Sequence, residues 1–391
     1  AAELRGGYGL FAGRVPNVWL ASPFANSGVV QYGSRYYSPC QTAGDRTCFK
    51  APETISQDFP YSEFARTSPA QAIDPNYDTP STWKLNLELL LTTADGTNVK
   101  LAFNKDDSED GIGFSDASAT VDQVGATGVV TYDTKGAFYV TNAEGTNSQS
   151  VTISMDKTFD NGIDVFASYT NLDAESGWVA TSSQLSSNLE YMPRVDLMNV
   201  GVGKTPWAIE DRIVAGLNYT ANWFPNSPTK FSLFYKAYSG KRFSYVFDGI
   251  DDGYDDGNTL LYIPTLNDPN VVYSGVTEAE VLSVVQGIGT PGSHVAANSG
   301  QVPWTRSLDL RISQEIPMPV LDHKLFVYFD VLNVLNLINE DKGHAYYQRY
   351  SSRQVLDSDG LDSQGRIIIT GTDDRGASID TYASRYRMQL G

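Results

Sequence analysis

Between Pro303 and Asn336 the chain reads PWTRSLDLRISQEIPMPVLDHKLFVYFDVLNVLN. In the first arm Leu308, Leu310 and Ile312 alternate with Asp309, Arg311 and Ser313; in the second Leu325, Val327, Phe329 and Val331 alternate with Lys324, Tyr328 and Asp330, Phe326 being the exception. A period of two gives each strand one apolar and one polar face. Arms this long suit tilted strands crossing a bilayer, which need roughly 9–11 residues. The turn between them, Met318 to Asp322, is flanked or occupied by Pro317 and Pro319, which have no N–H to lose from a ladder.

The same alternation predicts further strands at about 2–11, 82–92, 97–104, 149–159, 163–172, 209–223, 229–239 and 381–391. With the opening pair that makes ten. Leu85, Leu87, Leu89 and Leu91 oppose Lys84, Asn86 and Glu88, and Leu90 breaks the rule; Val151, Ile153 and Met155 oppose Thr152, Ser154 and Asp156. Asp160-Asn161-Gly162 and Ala94-Asp95-Gly96 are tight-turn signals. Connections at Thr93–Gly96, Asp160–Gly162, Phe224–Pro228 and Met318–Asp322 are short. Those at 12–80, 105–148, 173–208, 240–302 and 337–380 are long, and the two kinds alternate strictly. Outer-membrane barrels have this asymmetry of turns and extracellular loops. The predicted fold class is therefore all-β: a transmembrane antiparallel β-barrel with long extracellular loops. A soluble sandwich or propeller would show short strands, even connections or a regular repeat.

Composition sharpens this. No apolar run approaches the length of a membrane-spanning helix. With 23 Tyr, 17 Phe and 6 Trp the chain has the aromatics that interfacial girdles use. A net charge of −18 argues against a nucleic-acid partner, whose phosphates need Lys and Arg. Inside the long connections, Gly128–Tyr132 and Ala137–Thr141 flank DTKG as a small hairpin, and Glu278–Gly287 has a helical spacing. The opening AAELRGGYGLF reads as mid-strand, so the chain is expected to be a fragment of a longer one.

Candidate chemistry is sparse. Cys40 and Cys48 have seven residues between them and no neighbouring His; a disulfide closing a small loop and a pair of free thiols are the two readings. Asp248–Asn258 concentrates Asp248, Asp251, Asp252, Asp255 and Asp256, hard oxygen ligands suited to Ca²⁺, although the spacing is not that of an EF-hand and a solvated acidic loop fits better. Asp357–Asp362 is a shorter acidic run. His294 and His344 fall in long connections and His323 in a short turn, too scattered to mark a Ser-His-Asp site, so no enzyme is expected. The set facing the lumen is Lys84, Asn86, Glu88, Asp309, Arg311, Lys324, Asp330, Arg385 and Arg387, either contacting solute or pairing charges. Tyr346, Tyr347 and Tyr350 with Arg349 form an aromatic cluster that either holds a ligand such as a sugar or peptide by stacking or packs one loop on another.

Several segments resemble the barrel of TonB-dependent outer-membrane receptors of the Oar type: Arg5–Gly28, Thr79–Leu89, Lys157–Thr170, Tyr238–Phe247, Leu260–Thr265, Pro303–Pro317, Phe329–Asn339 and Ser384–Gly391. The matches run in order along the whole chain. The resemblance implies the C-terminal part of a barrel of about 22 strands, in the outer membrane of a Gram-negative bacterium, with the plug and an N-terminal carboxypeptidase-like domain outside this sequence. It also implies transport of a bulky solute without bond chemistry or a required cofactor. The implied partners are outer-membrane lipid and a periplasmic TonB-type energy-coupling protein, with surface proteins or a lipoprotein as further candidates. The alternative is a structural or adhesive barrel whose loops bind other surface proteins.

Overall fold

The computed structural model describes residues 1–25, 30–32, 65–67, 70–143, 145–318, 323–348, 350–373 and 376–391. Cys40 and Cys48 lie outside these, as do Arg349 and most of the Met318–Asp322 turn. Ten strands follow one another along a single antiparallel path: β1 (Ala2–Ala12), β2 (Ser81–Thr92), β3 (Asn98–Glu109), β4 (Asn147–Thr158), β5 (Ile163–Ser176), β6 (Asp211–Phe224), β7 (Ser227–Tyr238), β8 (Thr305–Met318), β9 (His323–Leu332) and β10 (Arg387–Leu390). This is an all-β antiparallel meander, as the alternation predicts. The path does not close: among the described residues β1 pairs only with β2, and β10 only with β9.

Register carries each face across the sheet. Leu4, Leu89, Leu101, Ile153, Tyr169 and Ile213 are successive cross-strand partners on one face. Val165, Leu217, Leu233, Leu310, Val331 and Met388 continue it. Asp164, Asn218, Ser232, Arg311, Asp330 and Gln389 form one such row on the other face. A one-residue slip would exchange the faces, so the continuous apolar row fixes the register.

Among the described residues nothing forms a second layer over the apolar face. Leu4 is 73%, Val151 53% and Leu390 75% exposed, and Ile153, Met155, Leu217 and Leu325 are exposed too. Aromatic side chains gather near its two rims. Tyr8 stacks on Trp83, with ring centroids 4.9 Å apart, toward the long connections; Trp223 meets Phe231 edge-on at 5.7 Å toward the short turns. Aromatic girdles of this kind suit membrane–water interfaces, where rings with one apolar and one wet side are favoured.

The hydrophobic core lies instead in the long connections, which fold together into a cap. One cluster gathers Val129, Phe247, Ile250, Leu260–Ile263, Val281, Val285, Val355, Leu356, Ile367 and Ile369. The other gathers Trp19, Phe114, Tyr132, Phe138, Val140, Leu185, Leu189 and Leu197. No strand of the main sheet contributes to either. The cap has its own sheets. Arg242–Asp248 pairs in parallel with Ser352–Leu361, which pairs with Ile367–Thr372, which pairs in parallel with Val271–Tyr273. Pairings between distant connections bind the cap into one body.

Three expectations are corrected. Val130–Asp133 pairs with Thr120–Val124, and Ala137–Ala143 with Gly111–Asp116 and Ala70–Ile73, so the two segments flanking DTKG are not each other's hairpin partners. The Asp116 side chain organises that turn, accepting from Ser118 Oγ at 2.6 Å and Ala137 N at 2.9 Å. The last strand begins at Arg387, because Asp380 accepts from Tyr382 N and Ala383 N and starts a short helix, Thr381–Ser384, where a strand was expected. Arg385 follows that helix and is not on a strand face. The expected helix is present as Glu278–Val285; Thr277 and Glu280 cap it reciprocally.

Candidate functional site

Two places concentrate polar chemistry: the polar face of the sheet, and the joints of the cap. On the face, cross-strand neighbours are brought within hydrogen-bonding reach. Lys84 Nζ lies 3.1 Å from Asp106, and Lys100 Nζ 2.7 Å from Glu88. Arg311 forks onto Asp330, Nε to Oδ1 at 2.6 Å and Nη2 to Oδ2 at 2.7 Å, with its guanidinium 4.8 Å from the Tyr328 ring. Bidentate pairing with stacking fixes an arginine in one pose. Asp309 Oδ1 accepts from Ser307 Oγ and from the Asn333 amide, tying β8 to the start of the last long connection. Lys324 pairs with Glu315 at 3.0 Å near the short turns. Arg387 is on the same face, beside Leu332, with its guanidinium 5.3 Å from the Tyr382 ring. Lys84, Glu88, Arg311, Lys324 and Asp330 are therefore engaged in charge pairs with neighbours on the sheet.

The acidic run at Asp251–Asp256 is a joint. Arg194, 1% exposed, reaches it from the connection after β5; its Nη2 is 2.6 Å from Asp252 Oδ2. Nη1 donates to the carbonyls of Leu189 and Met192. Burial lowers the Arg194 guanidinium and raises the Asp252 carboxyl, while their attraction works against both shifts. Asp252 Oδ1 accepts from Tyr254 N and Asp255 N, Asp251 Oδ1 from Gly253 N, Asp255 Oδ2 from Asn258 Nδ2, and the Asp256 carbonyl from Gly249 N. Among the described residues no three His, Cys, Asp or Glu side chains are grouped to hold a metal. Gly253, at φ +94°, packs against the Tyr132 carbonyl where a side chain would clash. Tyr254 OH donates to Asp116 at 2.9 Å and Tyr132 OH to Asp196 at 2.5 Å, so the connections after β3, β5 and β7 meet at one polar knot. Burial raises both phenols, and the neighbouring carboxylates add to that. Burial also works to raise Asp116, but hydrogen bonds from Ser118, Thr134 and Tyr254 outweigh it and hold that carboxyl low.

His294 is a second joint. Its Nδ1 is 2.8 Å from the Leu260 carbonyl, its ring meets Tyr262 edge-on at 5.3 Å, and Nε2 is buried beside the Thr127 backbone without a well-formed hydrogen bond. Burial lowers its pKa, against the pull of those carbonyls. The unfolded chain takes up this proton near pH ~6.5, the folded cap only at lower pH, so acidification through that window destabilises the cap. Protection factors of the cap amides, with the intrinsic pH dependence of exchange divided out, are expected to fall as the pH is lowered from 7.5 to 5.5. The excess over a His294→Asn variant isolates this group from Asp252, whose raised carboxyl works with the opposite sign. An identical pH response in both proteins would reject the assignment. His323 begins β9 at the short-turn end, and His344 Nε2 lies 2.8 Å from the Glu340 carbonyl in the last long connection. Tyr346–Tyr347 pairs with Ser378–Ile379 as a two-stranded ladder.

The cap also holds a cavity of about 400 Å³, which nothing in the alternation foretells. Phe114, Tyr139 and Trp178 supply aromatic surface; Ser115, Thr141, Asn142 and Asn199 supply polar groups.

No family model matches the chain, and no curated protein does. Among solved structures the chain is similar to the outer membrane transporter YddB from Escherichia coli, at a TM-score of 0.39 and 9% identity over 82% of this chain. The aligned part is 34% of that chain's length.

Proposed function

We propose that this chain supplies barrel strands and extracellular binding loops to a TonB-dependent transporter in the outer membrane of a Gram-negative bacterium, moving a bulky solute. The observation that carries the proposal is the division of labour between sheet and cap. Among the described residues ten strands share an uncovered apolar face, while both large apolar clusters sit in the long connections. Water does not leave such a face bare; monomeric soluble proteins rarely expose contiguous apolar patches beyond a few hundred Å². Lipid accepts it, and backbone polar groups are satisfied strand to strand. Among the described residues the outer edges of β1 and β10 are unpaired, and since each unpaired N–H or C=O in lipid costs several kcal/mol, either further strands complete the barrel or these ten close on themselves. A polar, charge-paired inner face then surrounds a wide lumen, and the folded cap stands over its outer mouth.

Two measurements test this. In a Cys40→Ser, Cys48→Ser background, single cysteines at 151, 153 and 155 in native outer membranes should react with a lipid-soluble maleimide and resist a charged one. Cysteines at 152 and 154 should do the reverse. Uniform labelling by the charged reagent would reject the membrane sheet. Solute uptake that persists after the proton gradient is collapsed would reject energy-coupled transport and leave a passive or adhesive barrel.

A further inference from the structure

We infer that the cap cavity beneath Trp178 is a binding site for a neutral saccharide. It is built at the junction of two long connections. Phe114, Ser115, Tyr139, Thr141, Asn142 and Ala143 come from the segment after β3; Gly177, Trp178 and Leu197–Gly201 come from the segment after β5. At about 400 Å³ it falls within the usual range for small-ligand sites. Phe114 meets Trp178 edge-on, centroids 5.7 Å apart, and Trp19 braces Phe114 from the far side at 5.4 Å while donating Nε1 to the Ser182 carbonyl. The aromatic wall is therefore preorganised by packing and does not have to assemble around a ligand.

The lining selects by charge and by hydrogen bonding. Among the described residues no Asp, Glu, Lys, Arg or His lines it, so a charged ligand entering the cavity gives up water without gaining a counter-ion from them. Among the described residues Trp178 Nε1, Tyr139 Oη and the Asn199 side-chain amide make no hydrogen bond within the protein, whereas Thr141 Oγ1 is committed to Asp74 at 2.8 Å and the Asn142 side chain to the Asp78 and Asp110 backbones. A purely apolar ligand would leave the three uncommitted groups without water or partner, an arrangement that sites built for hydroxyls reject strongly. A pyranose ring offers what the lining lacks: an uncharged body, C–H faces to lie against the rings, and a rim of hydroxyls that both donate and accept.

The site is independent of whether the barrel transports anything, and its test reads binding alone. The full chain in lauryldimethylamine oxide, a detergent without a sugar headgroup, is titrated by calorimetry with maltotriose, cellotriose, mannotriose and N-acetylchitotriose. The charged control is trigalacturonic acid, and the peptide control is a Gly-Ser hexapeptide with both ends blocked. At least one neutral trisaccharide should bind saturably. Tyr139→Phe and Asn199→Ala, which leave the packing in place, should each weaken it by about fivefold. Trp178→Ala should remove it. Failure of all four neutral sugars, affinity unchanged in the Tyr139 and Asn199 variants, or binding of the blocked peptide in place of the sugars would each overturn the assignment.

Discussion

Replacing Arg194 by Met should loosen the cap while leaving the ten-stranded sheet paired. Arg194 joins the connection after β5 to the acidic turn after β7 through Asp252, and the Asp252 side chain is itself only 4% exposed. Removing the cation leaves a buried carboxylate without a partner, a loss typically of ~3–5 kcal/mol. It also frees the Leu189 and Met192 carbonyls that Nη1 caps. Asp252 also holds the backbone of its own turn, so protonation does not fully rescue it. The loss should appear as rapid protease cleavage within 177–210 and 239–260 and early melting of the cap. Strand amides of β4–β6 should keep their slow exchange. Pairing Arg194→Met with Asp252→Asn should recover part of the loss, since an amide costs far less to bury than a lone carboxylate. A double variant no more stable than Arg194→Met alone would show that the ion pair is not what binds the two connections.

The contrast between sheet and cap also explains what the chain discloses in one dimension. The sheet strands are legible because each presents two unlike environments, and alternation records that directly. Leu85, Leu87 and Leu89 against Lys84, Asn86 and Glu88 needed no knowledge of β1 or β3 to be assigned faces. The exceptions have local causes: Leu90 and Phe326 lie on the polar face, Leu90 opposite Glu3 and Lys100, and Phe326 beside Tyr328. The cap was not legible. Its strands are short, and Arg242–Asp248 is buried on both sides, as at Phe243, Ser244, Val246 and Phe247, so such a run carries no period. Their partners are also distant; Tyr245 pairs with Arg353 and Val271 with Ile367. The acidic run after β7 illustrates the same limit. Five aspartates within nine residues suggest a solvated loop or cation ligands, and nothing near them in sequence announces that Arg194, some sixty residues earlier in the chain, pairs with Asp252. The cavity was hidden for the same reason, since Phe114 and Trp178 share no local pattern.

Ile153→Arg should keep the protein out of the membrane, and Thr152→Arg should not. The two positions are adjacent in the middle of β4, and differ only in face. Ile153 sits in the apolar row between Leu101 and Tyr169 and is 46% exposed on a surface that only lipid would cover. An arginine at the midplane of a barrel's lipid face costs ~2–4 kcal/mol. Thr152 hydrogen-bonds Thr170 at 2.9 Å on the polar face, where an added guanidinium can reach water and the carboxylates that line it. The readout is the fraction of protein resisting urea extraction from outer membranes, with heat-modifiable gel mobility as the check on folding. Equal extraction of both variants would mean that the two faces meet the same solvent, and the membrane assignment of the sheet would fall. Extraction of Thr152→Arg alone would mean that the faces had been assigned the wrong way round. The first of these outcomes removes the reason for a lumen; the second moves the Arg311–Asp330 fork onto the lipid side, where an ion pair has no water to offset its desolvation. The expected asymmetry therefore tests at once the orientation of the sheet and the claim that its charge pairs face a solvated interior.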